Sequence, residues 1–189
     1  METLARWAGY LAIVGGGLMV VVTVVTTIAP DSPIWFVFFL VPILLGAAVL
    51  GFEQRTRSAT GQLGRTSAWL SAAGVIALLL VFAYAVATGG VSTSDEYDPA
   101  SDPFTPFWIV TAVAWFVGNL GYAAALIRAK ALSSIGAWLV VAGAIVGIVV
   151  SAVLGENLPT YVYLLFALFG LGWIVVGYAA LRPTGPAMR

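Results

Sequence analysis

The chain has 189 residues, 61% of them apolar and only 8% charged, with eight basic and eight acidic side chains, no cysteine and no histidine. Its mean hydropathy of +1.04 excludes a soluble fold, in which about a quarter of residues carry charge. The missing cysteines exclude disulfides, thiolate metal sites and redox relays, and the missing histidines remove the usual haem and metal ligand, so no cofactor, no metal and no nucleic-acid partner is expected.

In chain order, Met1 to Arg6 precedes an apolar run from Trp7 to Ile28. The run superficially resembles a signal peptide but exceeds the roughly 7–15 residues of a signal-peptide core, and we read it as a retained span. Further apolar stretches give spans at 7–29, 34–53, 67–89, 105–127, 134–154 and 159–181. A bilayer crossing takes about 20 apolar residues, so six spans nearly exhaust the chain and leave one transmembrane domain, 1–189. The spans must be helices, because open strands would leave backbone groups unpaired in lipid. Pro42, inside the second span, predicts a kink there.

The charges sort by turn. Arg6, then Arg55, Arg57 and Arg65, then Arg128 and Lys130, then Arg182 and Arg189 all fall on one side of this layout. Asp31, the group Asp95, Glu96, Asp98 and Asp102, and Glu156 fall in the turns on the other side. The positive-inside bias then predicts a multi-pass cell-membrane protein with both termini cytoplasmic and the acidic loop 90–105 extracytoplasmic. Trp7, Tyr10, Trp69, Trp138 and Tyr178 suit a cytoplasmic aromatic belt, and Trp35, Trp108 and Tyr161 an outer one.

A repeat organises the spans. Trp138-Leu139 with Gly143, then Pro159, Tyr161, Gly172, Gly177-Tyr178 and Arg182, is matched by Tyr10-Leu11 with Gly15, then Pro33, Trp35, Gly46, Gly51-Phe52 and Arg55. Trp69-Leu70 with Gly74, and later Gly121-Tyr122 and Arg128, form a third copy with a longer, acidic turn. The expected fold is an all-α integral membrane protein of six transmembrane helices, built as three parallel-oriented hairpin repeats at 7–55, 67–128 and 134–182.

Candidate sites are few. No charge lies in the middle of a predicted span, which counts against proton relays, ion-coupled carriers and voltage sensors. Thr111, Trp115, Gly118, Asn119 and Tyr122 share one helical face of the fourth span. Two readings stand for that face. It lines a ligand pocket, together with Trp173, with Asn119 orienting a polar group; or Asn119 hydrogen-bonds to a neighbouring helix that Gly118 and Gly121 allow to approach. Gly143, Gly147 and Ser151 make a small-residue seam for a partner helix within the chain or in another subunit. The acidic cluster Asp95, Glu96, Asp98 and Asp102 lacks the spacing and glycine of a calcium loop and reads first as a solvated turn, with a cation site or an acidic docking patch as alternatives. No nucleophile with a base is visible, so no catalytic residue is assigned.

The functional expectation is therefore a small non-enzymatic accessory or scaffolding subunit of a membrane assembly, or a self-associating bundle, with the lipid bilayer and other membrane subunits or further copies as partners. The alternative is a passive pore, carrier or binding protein for a neutral or apolar small molecule or lipid.

Overall fold

The computed structural model describes residues 2–29, 32–87, 105–154 and 164–182, which are helical with no strand among them. Helix α1 spans Glu2–Ile28, a 3-10 helix Pro33–Phe39 leads into α2, Leu40–Ala87, and α3, α4 and α5 span Thr105–Ala129, Ser134–Leu154 and Leu165–Leu181. The acidic residues Asp31, Asp95, Glu96, Asp98, Asp102 and Glu156 lie outside the described residues. Three helical stretches, Thr3–Ile28, Val37–Tyr84 and Val110–Ala129, are long and apolar enough to cross a membrane; Ser134–Ile145 and Leu165–Leu181 are shorter apolar helices.

Hydroxyl groups on α1 find partners within their own helix, where water is not at hand. In α1 the hydroxyls of Thr23, Thr26 and Thr27 donate to the carbonyls of Met19, Val22 and Thr23, four residues back in each case. Ser32 caps the 3-10 helix, its Oγ accepting from the Ile34 amide at 3.4 Å, with Pro33 in the first position, where no amide hydrogen is needed.

Helix α2 departs most from the sequence expectation. The stretch from Glu53 to Arg65, which joins the second and third expected spans, is helical, because Glu53, Gln54, Arg55 and Arg57 are all good helix formers. The interruption within α2 is at Gly61, with φ 63° and ψ −150°. Only glycine adopts that conformation at little cost. Pro42 falls near the start of α2, just after the 3-10 helix that leads into it. Gly61 folds α2 back on itself: a Cβ on Gly46 would lie 2.8 Å from Val75, and the rings of Phe39 and Phe82 are 4.5 Å apart. We refer to residues 40–60 and 62–87 as the first and second limbs of α2.

The turn from α3 to α4 is closed by a left-handed residue. The Ala131 amide donates to the Leu126 carbonyl at 3.1 Å and the Lys130 amide to that of Ile127 at 3.1 Å, with Lys130 at φ 50°. These two bonds are the Schellman closure of a helix, with lysine at the position glycine usually holds. Ser133 then caps α4 by accepting from the Gly136 amide at 3.2 Å.

The limbs form a closed ring in which each packs on its sequence neighbours and α5 returns to α1. Glycines set the close approaches. A Cβ on Gly9 would meet Leu181 at 2.7 Å and one on Gly177 the Gly9 carbonyl at 2.6 Å, while Gly16 and Gly170 face each other further along the same α1–α5 seam. On the α4 side of α5, Gly172 lies against Val140, and Gly143 against the Phe169 backbone with its Cα at 2.8 Å. Thus α5 carries one glycine edge for each neighbour. Inside the ring, among many small alanines and valines, the aromatic side chains of Phe52, Tyr122, Phe169 and Trp173 are fully buried and that of Trp115 nearly so.

Candidate functional site

The residues expected to line a ligand face do come together in the interior. Thr111, Trp115, Asn119 and Tyr122 on α3, and Trp173 on α5, are all buried, Asn119, Tyr122 and Trp173 completely. Their spacing on α3 follows the helical period, so one face of the helix carries them all inward. Aromatic contacts connect them across the ring. Trp115 meets Phe169 edge-on at 5.5 Å, Phe169 meets Trp173 at 6.4 Å, and Trp173 stacks on Phe52 of the first α2 limb at 6.3 Å with ring planes 6° apart.

Two polar ties cross the interior. Asn119 donates through Nδ2 to Ser71 Oγ at 3.0 Å and to the Trp115 carbonyl at 2.8 Å. Gly118 and Gly121 make room for that tie: a Cβ on Gly118 would lie 2.6 Å from Ser71 Cα, and one on Gly121 3.1 Å from Ser67 Cβ. Further along, the hydroxyls of Thr56 and Tyr122 meet at 3.0 Å, joining the first α2 limb to α3.

Four polar atoms in this interior find no hydrogen-bond partner among the described residues: Trp115 Nε1, Trp173 Nε1, Asn119 Oδ1 and Glu53 Oε1. An unsatisfied buried polar group costs about 1–3 kcal/mol, and proteins keep few of them without a water, an ion or a ligand to account for them. The set comprises two indole donors, one amide acceptor and one carboxylate oxygen. Each keeps unused hydrogen-bonding capacity, the indoles as donors and the amide and carboxylate oxygens as acceptors.

Glu53 is the residue that sequence reasoning missed. Placed at the end of a span and grouped with a loop, it is instead 9% exposed, on the helix that carries Phe52 and Thr56 into the core. Its Oε1 lies 3.6 Å from Arg57 Nε, beyond hydrogen-bonding reach. A signal was present: Val49, Phe52, Glu53, Thr56 and Thr60 continue a 3-4 spacing past the last apolar residue, so the buried face outlasts the hydrophobic run.

Of the small-residue seam, Gly143 faces Phe169 within the chain. The surroundings of Gly147 and Ser151, and the acidic cluster Asp95, Glu96, Asp98 and Asp102, lie outside what the structure describes. No group of three or more metal-ligating acidic side chains occurs among the described residues. No family model, curated protein or solved structure matches the chain.

Proposed function

We propose that this chain is a multi-pass membrane bundle of three co-oriented helical hairpins whose interior binds a small uncharged molecule able to donate and accept hydrogen bonds. The observation that carries the binding reading is the unpaired set Trp115 Nε1, Trp173 Nε1 and Asn119 Oδ1, buried in the core with no hydrogen-bond partner among the described residues. The six-span reading draws support from the folding back of α2 at Gly61, which turns one 48-residue helix into two limbs. With α1, α3, α4 and α5 they supply six helical segments.

Three similar approaches, two of them at matching positions, favour the repeat. The glycine five residues after the opening aromatic of each hairpin, Gly15, Gly74 and Gly143, lies against Leu45, Trp115 and Phe169 respectively. Leu45 and Trp115 are equivalent in the repeat, whereas Phe169 stands two residues before the match, Leu171, which is 42% exposed. The slip follows from the double duty of α5, which gives Gly170 to α1 and Gly172 to α4.

The test removes a donor and keeps the ring. Trp173→Phe retains the stack on Phe52 while deleting Nε1. Native mass spectrometry of protein extracted from its source membrane is expected to show a stoichiometric small adduct on the wild type and its loss in Trp173→Phe and Trp115→Phe. A bare wild-type chain sinks the reading.

A second reading, an accessory or self-associating subunit, is favoured by a separate observation. Tyr10, Val14 and Val21 of α1 point outward, and a Cβ on Gly17 between them would meet nothing within 4 Å. A second polypeptide or a second copy in the same spectrum supports this reading.

A further inference from the structure

At the bend of α2 the surface opens into a groove of about 870 Å³ lined by Arg57, Gln62, Arg65, Thr66, Trp69 and Leu70, with Gly61 in its floor. We propose that this groove seats the phosphodiester headgroup of an anionic phospholipid, whose acyl chain lies along the second limb of α2. The inference rests on the membrane reading above and is independent of the interior binding site.

Charge is the first argument. The two guanidinium groups stand on opposite sides of the bend, no carboxylate lines the groove, and Arg65 makes no ion pair with any described residue. Arg57 is 3.6 Å from Glu53 through Nε, but its side chain is 58% exposed and its guanidinium carries further donors. Guanidinium groups present a planar fork of donors that suits phosphate oxygens. Gln62 and Thr66 add exposed polar groups beside them.

Access is the second. A Cβ on Gly61 would meet nothing within 4 Å, so the floor of the bend is open to an approaching headgroup.

The third argument separates a lipid from free phosphate. Trp69, 59% exposed, belongs to the groove and also begins an outward stripe on the second limb, continuing through Ala73, Ile76, Leu80 and Tyr84. The spacing of three and four keeps these side chains on one face, and from Trp69 to Tyr84 the helix rises about 22 Å. An apolar track of that length leading directly from a basic groove matches a molecule with an anionic head and a long hydrocarbon tail. An inorganic anion would leave the track unused. Tryptophan at such a junction places an amphipathic ring between head and tail.

The experiment uses the full chain in detergent micelles supplemented with phosphatidylglycerol or phosphatidylcholine of identical acyl chains, read by native mass spectrometry. The wild type is expected to retain one phosphatidylglycerol in preference to phosphatidylcholine. Each of Arg57→Gln and Arg65→Gln should weaken retention about fivefold, and the pair roughly 30-fold. Arg128→Gln, in the last turn of α3 and outside the groove, should leave it unchanged, and thermal melts should show all variants folded. Equal retention of the two lipids, an unaffected double variant, or displacement by inorganic phosphate alone would each overturn the headgroup assignment. A chain that retains neither lipid would overturn it as well; the membrane reading itself would fail only if the chain stayed soluble without detergent, and loss of the interior adduct in Trp173→Phe bears only on the interior site.

Discussion

Thr56 and Tyr122 lie 66 positions apart in the chain, yet their hydroxyls share a buried hydrogen bond of 3.0 Å. The direction of that bond follows from a neighbour. Thr56 Oγ1 donates its single hydrogen to the Phe52 carbonyl at 2.9 Å, so Tyr122 is the donor between the two side chains. The pair therefore has unequal members: Thr56 keeps a partner if Tyr122 loses its hydroxyl, but Tyr122 does not keep one if Thr56 does.

Tyr122→Phe is accordingly expected to cost about 1 kcal/mol of unfolding free energy, and Thr56→Val about 1–3 kcal/mol, because it strands the buried phenol. Chemical denaturation in detergent measures both. Equal costs, or a larger cost for Tyr122→Phe, would contradict the donor assignment.

Glycine positions divide into those that admit a neighbour and those that do not. On Gly118 a methyl group would press on Ser71, with its Cα at 2.6 Å, and Ser71 anchors Asn119. Gly118→Ala should destabilise by about 1–3 kcal/mol, the usual cost of overpacking. Gly17→Ala meets nothing within 4 Å and should gain about 0.5–1 kcal/mol from reduced unfolded-state freedom. Thermal melts of the two variants should shift in opposite directions.

These contrasts mark what was legible in the chain. The helical class, the apolar segments and the inward face of α3 follow from composition and a 3.6-residue period, both local properties. Whether Gly118 and Gly121 serve a ligand or a neighbouring helix depends on what stands opposite, which is Ser71 and Ser67, and no local pattern names those partners. Gly61 was hidden for another reason. It sits among charged residues that look like a loop, and only the helix propensity of its flanks reveals that a single residue makes the whole reversal. Glu53 was masked by its own charge, since a hydrophobicity window ends a span where the buried face still continues.

Gly61 itself gives a prediction that separates space from backbone conformation. A side chain there would have room, but φ of 63° with ψ of −150° is closed to residues with a Cβ. Gly61→Ala should therefore destabilise by about 1–3 kcal/mol despite adding no clash. A neutral Gly61→Ala would mean that the bend does not require this conformation.

Lys130 presents the converse case, a residue with a Cβ where glycine is preferred. Its φ of 50° closes the Schellman turn at the end of α3. Left-handed backbone costs an L-residue roughly 1–2 kcal/mol, partly offset by the larger unfolded-state freedom of glycine. Lys130→Gly should raise the melting temperature modestly, equivalent to about 0.5–1 kcal/mol. Lys130→Val, with a branched Cβ at positive φ, should lower it.

The folding back of α2 can be tested by a covalent bond, because the chain contains no cysteine to compete. A Cβ on Gly46 would stand 3.7 Å from that of Val75, within the roughly 3.5–4.5 Å that a disulfide spans. The nearest atom to that Cβ is a Val75 methyl at 2.8 Å, which the second substitution removes. The double variant Gly46→Cys with Val75→Cys should oxidise to an intramolecular disulfide, read as a mass lower by two hydrogens that reductant restores. Pairing Gly46→Cys with Ile76→Cys, which points to the outer surface at 59% exposure, should not give that product. If both pairs oxidised at equal rates, or neither did, the two limbs would not meet in this register, and a straight α2 would carry residues 46 and 75 about 44 Å apart.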